Sequence, residues 1–453
     1  MNRTNKYLIV ILAVAVLARV GVALYLGNEV DAPPLLTDQR SYHALGQRLI
    51  TGHGFSFDTG WYPFTQPNTP TAHWSFLYSL FVAAVYAVFG PQVLAARLVQ
   101  AVLGGLLLPW LVFRLARRIM GAGGLDRQLA RRHLQVDQVA VLAAGIAAVY
   151  FYFVLYAATV MTETFFISAL LWSLERAIAL AERPSLKRAL WLGLSLGVAT
   201  LLRQSILPWA VVLAAWLLWT AFVGGALKRM ARALIVAGAV VAAMIAPFTL
   251  RNYLVYGQFL LLNSNAGYAM YSAQHPNHGV EFQAFVGMPL PDDLSPGLNE
   301  AQLDKELMAR GVQFVLADPV RYLRLSWSRI FAYFEFWPTA DTSLLNNLGR
   351  VGSFGLFLPF MIGGLIWALR AAGVRAWGGW RKFSITPLAL LSIFMAVYAV
   401  MHIFTWAMPR YRLPVDAAAL PFAALALSLT ARWVTERGKA RSAVKPTHNP
   451  LQG

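Results

Sequence analysis

Asp38 and Tyr42 lie four residues apart in a stretch with helical periodicity (Tyr42, Leu45, Leu49), so both side chains can share one helix face. Much later come Glu163 within Thr162-Glu163-Thr164-Phe165-Phe166, then Arg203, then Arg251-Asn252-Tyr253, and finally Arg410-Tyr411-Arg412 with Asp416 beyond it. Each sits at the end of a long apolar run, where a charge costs at least a few kcal/mol and needs a reason. Arginines can clamp a phosphate through paired hydrogen bonds. A carboxylate beside them can act as a base. The plainer reading makes each arginine an interfacial anchor and each acid its salt-bridge partner. Taken as a set, the residues favour the chemical reading, with Asp38 as the expected base. Asp31 is its rival, but Ala32-Pro33-Pro34 follows it and favours an extended turn over a helix. Glu163 is a further candidate, as an acceptor-side ligand or as a partner for an arginine.

The elements that must position these groups are membrane helices. The composition is 58% hydrophobic and 13% charged, with a mean hydropathy of +0.55, against about 25% charged in a soluble domain. Runs long enough to span occur near 7–26, 95–115, 138–157, 160–181, 188–203, 205–223, 232–249, 351–370, 385–404 and 413–431. A further apolar run, 74–90, is decided by charge. If it spans, the loops holding Arg117, Arg118, Arg131, Arg188 and Arg229 fall outside, against the positive-inside rule. If it lies along the outer surface, all of them fall inside. The expected fold is therefore an all-α polytopic membrane protein of about ten spans with both termini cytoplasmic. The expected organisation is a transmembrane catalytic module over 1–249, with an outer loop at 27–92 that carries juxtamembrane helices. A mostly helical outer segment follows at 250–349 with helices near 299–317 and 318–335, then C-terminal spans over 350–431 and a disordered tail over 432–453.

Several functions are excluded. The net charge of +18 comes from Lys and Arg in short loops, where it sets topology, so no nucleic-acid partner is expected. The chain has no cysteine, hence no disulfide or thiolate metal site. It has no phosphate loop, dinucleotide fingerprint or nucleophile elbow, and no internal repeat. His43, His53, His73, His275 and His278 show no compact zinc pattern. Glu29, Asp31, Asp38, Asp58 and Glu163 are the hard ligands nearest the candidate site, and no obligatory metal and no cofactor are expected.

These segments resemble the GT-C superfamily of membrane glycosyltransferases, specifically the bacterial family-39-like group related to protein mannosyltransferases and the lipid A aminoarabinose transferase. The resemblance covers most of the chain. Asp38-Gln39-Arg40-Ser41-Tyr42 followed by residues 49–55 is similar to the family's first outer loop. Residues 73–90 are similar to its juxtamembrane helix and 95–105 to the span after it; 162–166, 251–271 and 410–414 are similar to later segments. The order and spacing carry the resemblance more than any one motif. The chain departs where relatives place a proline pair, having Ser75-Phe76. With Tyr78 aligned, His73 and Trp74 stand where the aminoarabinose transferase has an acid and a phosphate-binding lysine. The resemblance implies inverting transfer of a sugar from a polyprenyl-phosphate carrier to an acceptor hydroxyl at the periplasmic face of a bacterial inner membrane. It implies that Arg203, Arg251, Arg410 or Arg412 holds the donor phosphate, with Tyr42 and Tyr411 positioning it. Phe76, Phe81 and Tyr86 would line a tunnel for the lipid tail. The acceptor stays open among a glycan, a lipid and an exported protein, and membrane lipids surround the whole.

Two other readings remain at this stage. A transporter of lipid-linked sugars would show paired halves or charges at the midplane, and neither stands out. An assembly protein would depend on its loops and be indifferent to Asp38.

Overall fold

The computed structural model describes residues 3–31, 38–122, 124–283, 286–340, 342–372 and 379–443. The helices are, in order, α1 (Arg3–Leu26), α2 (Asp38–Ile50), α3 (Phe76–Phe89), α4 (Val93–Met120), α5 (Leu125–Arg131), α6 (Val136–Val149), α7 (Phe151–Ala157), α8 (Glu163–Glu182), α9 (Leu186–Leu202) and α10 (Leu207–Val223). They continue with α11 (Leu227–Tyr256), α12 (Ala266–Gln274), α13 (Glu300–Ala317), α14 (Pro319–Tyr333), α15 (Leu344–Arg350), α16 (Leu356–Ala372), α17 (Trp380–Phe383), α18 (Pro387–Phe404) and α19 (Pro409–Ala443). Among the described residues the only β pairing is two isolated bridges, Ser56 with Pro70 and Trp61 with Thr65.

Among the described residues, eight helices are long and apolar enough to cross a membrane, or nine if α6 and α7 count as one bent span. The protein is thus an all-α polytopic membrane protein. The expected count of about ten differs in two places. The run over 138–157 is not one rod: its halves meet at 56°. The run over 188–203 is α9, a helix of 17 residues, at the short limit for crossing about 30 Å of hydrocarbon. Run 74–90 forms α3, whose 14 residues reach only about 21 Å at 1.5 Å each. It is too short to span, as the charge argument requires.

The break at Tyr150 has an identifiable cause. Arg19, fully buried on α1, donates to the carbonyls of Ala147 (3.1 Å) and Ala148 (2.8 Å). A guanidinium thereby takes the carbonyls that the interrupted helix leaves free. Inside the bundle, α4, α8 and α19 are the buried rods, while α1 and α11 expose most of their length. The crossing of α16 and α19 is close: a Cβ on Gly364 would lie 1.9 Å from the Phe422 carbonyl oxygen, so only glycine fits.

Where the sequence suggested a disordered tail, α19 continues as helix through residues 432–443, and the remainder of that tail, 444–453, lies outside the described residues. The helices expected near 299–317 and 318–335 form as α13 and α14. Asn299 caps α13 and Asp318 caps α14, each accepting a backbone N–H three residues on.

Candidate active site

Asp38 is the first residue of α2, and what fixes it is its neighbour. Gln39 is fully buried, and its Oε1 accepts from Arg97 Nη2 (3.1 Å) and from the Val160 N–H (3.1 Å). Arg97, on α4, also donates to the carbonyls of Leu26, Gly27 and Glu29, closing the end of α1. One turn along α4, Gln100 accepts from the Tyr78 hydroxyl (2.6 Å) and donates to the carbonyls of Tyr156 (2.9 Å) and Thr159. Two buried polar residues of one span therefore brace α1, α2, α3 and the strand of chain leading into α8.

α2 lies along α3. Tyr42 packs edge-on against Tyr78 (4.7 Å) and Trp74 (5.6 Å). A Cβ on Gly46 would meet Val82 at 2.6 Å and the Tyr86 ring at 3.1 Å. Burial raises the Tyr42 hydroxyl pKa well above its ordinary value, with Asp38 adding to the shift, so this group is a donor at neutral pH.

Four charges from four helix ends meet here. Arg410 Nη1 donates to Asp38 Oδ2 at 2.8 Å, a contact spanning 372 residues of chain. Glu163 opens α8, where the helix dipole favours an anion, and is 2% exposed. Its Oε1 pairs with Arg203 Nη2 and lies 4.0 Å from Arg410 Nε. Arg203 also donates to Thr162 Oγ1 at 2.9 Å. Both guanidiniums face the Tyr411 ring, at 5.5 Å for Arg203 and 5.2 Å for Arg410, and His402 stacks on the same ring at 4.9 Å. Glu163 Oε2 and Arg410 Nε are buried without a hydrogen bond, a carboxylate oxygen and a guanidinium N–H left unused.

The structure thus brings together Asp38, Tyr42, Glu163, Arg203, Arg410 and Tyr411. It does not bring in Arg412, Arg251 or Asp31. Arg412 is fully buried; it pairs with Asp416 (3.0 Å), donates to the Tyr333 carbonyl (2.6 Å) and lies over the Phe354 ring. Asp416 in turn accepts from the Tyr150 hydroxyl at 2.9 Å, so these groups form a strut. Arg251 lies over Phe55, Phe76 and Tyr256 and donates to Asn252 Oδ1 at 3.0 Å. No contact among the described residues joins it to the four charges. Asp31 is exposed and spent on Arg40.

His73 lies near Asp38 but does not replace the lysine of the resemblance as a cation. It is packed edge-on against Phe64 and Trp74, and burial pushes its pKa down to about 4. It is neutral at pH 7. Of the expected tunnel residues Phe76, Phe81 and Tyr86, the first and last do not line open space, while Phe81 is half-buried. Phe76 and Tyr86 are buried, stacked on Phe248 and bonded to His43 respectively. Among the described residues no three His, Asp or Glu side chains converge to hold a metal ion.

The bracing residues Gln39, Arg97 and Gln100 escaped the sequence reading, as did His402. The signal was present: Arg97 and Gln100 are polar residues one turn apart inside an apolar run, which demands partners.

No family model matches the chain, and no curated protein does. Solved structures match over its length. The oligosaccharyltransferase AglB from Archaeoglobus fulgidus, in complex with an inhibitory peptide and a dolichol-phosphate, is 16% identical with a TM-score of 0.56, covering 100% of this chain and 53% of that one. ArnT from Cupriavidus metallidurans bound to undecaprenyl phosphate is 15% identical with a TM-score of 0.52, covering 98% of this chain and 66% of that one. The chain has the GT-C fold. It spans about half the length of the oligosaccharyltransferase.

Proposed function

We propose that the protein is a glycosyltransferase that moves a sugar from a polyprenyl-phosphate carrier to an acceptor hydroxyl. The observation that carries this reading is the convergence of Asp38, Arg410, Glu163 and Arg203 from four helix ends in a GT-C fold. Two solved proteins of that fold hold a dolichol-phosphate and an undecaprenyl phosphate, lipid carriers of this chemistry.

The acceptor oxygen attacks C1 of the donor sugar from the face opposite the phosphate, and the C1–O bond to phosphate breaks with inversion. Asp38 takes the hydroxyl proton. The carrier leaves as polyprenyl phosphate, and its growing charge is neutralised by Arg410 and Arg203. Arg410 orients Asp38 in the resting state and can turn its unused N–H to the phosphate. Glu163 holds Arg203 in place, and Tyr42 and Tyr411 shape the donor's seat. Arg251 and Arg412 have no part in this scheme.

The reaction belongs on the periplasmic face. Helix alternation puts the four charges at one end of the bundle and the arginines of residues 114–132, 183–188, 228–232 and 381 at the other, the cytoplasmic end by the positive-inside rule. The bent α6–α7 span is the feature a transporter reading would use, since freed carbonyls can hold ions. Here Arg19 and Gln100 take carbonyls on both sides of the bend, which favours a brace.

The test is turnover of radiolabelled polyprenyl-phosphate sugars by membranes carrying Asp38→Asn. Loss of transfer by about 10²–10⁴-fold, with donor binding kept, is the expected result. Normal transfer by the variant would remove Asp38 as the base, and transport without release of free carrier by the wild type would remove the enzyme.

A further inference from the structure

A groove of about 690 Å³ lies between the 280–282 turn, α14, the 335–339 segment and Arg350 at the end of α15. It is the right size for a ligand, and Trp327 and Phe331 of α14 form part of its wall. Val320, Leu323, Trp327 and Phe331 stand at helical spacing on one face of α14 and are 60%, 58%, 65% and 54% exposed. The opposite face, with Leu325, Arg329 and Tyr333, is buried, and Tyr322 bonds the end of α18 at 3.1 Å. The stripe is therefore on the flank of the spans. Leu344, Leu345 and Leu348, at the head of a membrane-crossing helix, are exposed as well. An apolar stripe edged by tryptophan on such a flank suits the bilayer interface.

The polar groups of the groove carry the second half of the argument. Glu335 is neutralised by Arg350 at 2.8 Å. That leaves one guanidinium, Arg324, and one carboxylate, Glu281, both exposed at the groove and without a charged partner among the described residues. A cation and an anion on the wall of one groove, with Trp327 and Phe331 in the same wall, match a lipid headgroup that carries a phosphate and a primary amine. The phosphate suits the guanidinium fork, and an ammonium has N–H groups for the carboxylate. A choline has none, and an anionic headgroup without an amine would face Glu281 unpaired.

We infer that this groove is a binding site for an aminophospholipid of the phosphatidylethanolamine type, with its chains along α14 and its headgroup between Arg324 and Glu281. The site is independent of the transfer reaction.

The experiment places the full chain in bilayers containing brominated phosphatidylethanolamine, phosphatidylcholine or phosphatidylglycerol, and reads the part of the tryptophan quenching that Trp327→Phe removes. Half-quenching should need about tenfold less phosphatidylethanolamine than either other lipid, the worth of one charge-assisted hydrogen bond. Arg324→Gln and Glu281→Gln should each abolish that preference while quenching persists. Equal quenching by all three lipids would reduce the groove to boundary lipid contact and overturn the site. So would strongest quenching by phosphatidylglycerol, which would mark a cationic patch alone. Absence of quenching would place the stripe in water.

Discussion

Arg203 and Glu163 are the residues most tightly committed to each other, and their burial sets the consequence of separating them. Glu163 is 2% exposed, so Arg203→Ala leaves a carboxylate in a dry site with only Arg410, at 4.0 Å, nearby. Breaking such a pair from one side costs about 3–5 kcal/mol, whereas removing both partners costs less. Thermal unfolding in detergent should therefore show Arg203→Ala less stable than the double variant Arg203→Ala/Glu163→Gln. The reverse order would mean that water reaches Glu163. At this scale the sequence was informative about residue type and misleading about membership. Arg410 and Arg412 look equivalent in a row, yet two residues on a helix turn through about 200°, so one meets Asp38 and the other is sent to Asp416 and Tyr333.

At the scale of elements, the position of Asp38 depends on how closely α2 approaches α3. Gly46→Ala would drive a methyl into Val82, whose branched side chain has little freedom to move. The expected outcome is a drop of one to two decades in transfer, since about 1 Å of misplacement can cost 10²-fold, with little change in donor affinity. Steady-state kinetics separates the two.

The seam between α12 and α13 carries a pH dependence. Asp304 is buried against the start of α12, accepting from the Gly267 N–H at 2.7 Å, and burial pushes its pKa up from 3.8 to about 6. The folded form thus binds the proton more readily than the unfolded one between those values. Stability from this group is greatest below pH 3.8 and declines as pH rises through about 6. His73 acts oppositely: its pKa is lowered from 6.5 to about 4, so stability falls as pH drops through that window. Asp304→Asn should steepen the net loss of stability on acidification, and His73→Gln should flatten it, as read by unfolding between pH 4 and 6.5. The helices expected near 299–317 and 318–335 formed as α13 and α14. The two buried acids of α13, Glu300 and Asp304, were not legible in the sequence, because their partners Thr65, Thr71, Ala72 and Gly267 lie elsewhere in the chain.

For the whole molecule, the testable consequence is sidedness. The chain lacks cysteine, so a single introduced one reports its own side. Asp58→Cys, exposed in the segment between α2 and α3, should react with an impermeant maleimide on intact cells. Arg229→Cys, at the opposite end of the bundle, should react only after permeabilisation. Labelling of both from outside would refute the proposed orientation.

Composition and charge distribution alone determined the class of this protein, an all-α polytopic membrane protein. An apolar run of sufficient length has few alternatives to a membrane helix, and Lys and Arg in short loops orient it. They also selected Asp38, Glu163, Arg203 and Arg410, because charges at the ends of apolar runs are too costly to be incidental. Only the tertiary structure decided which of them meet. Pairing Asp38 with Arg410 across the length of the chain depends on helix rotation and on a brace of Gln39, Arg97 and Gln100. The bend at Tyr150 likewise depends on Arg19 arriving from another helix. Contacts between distant segments are set by packing, which no local pattern of residues encodes.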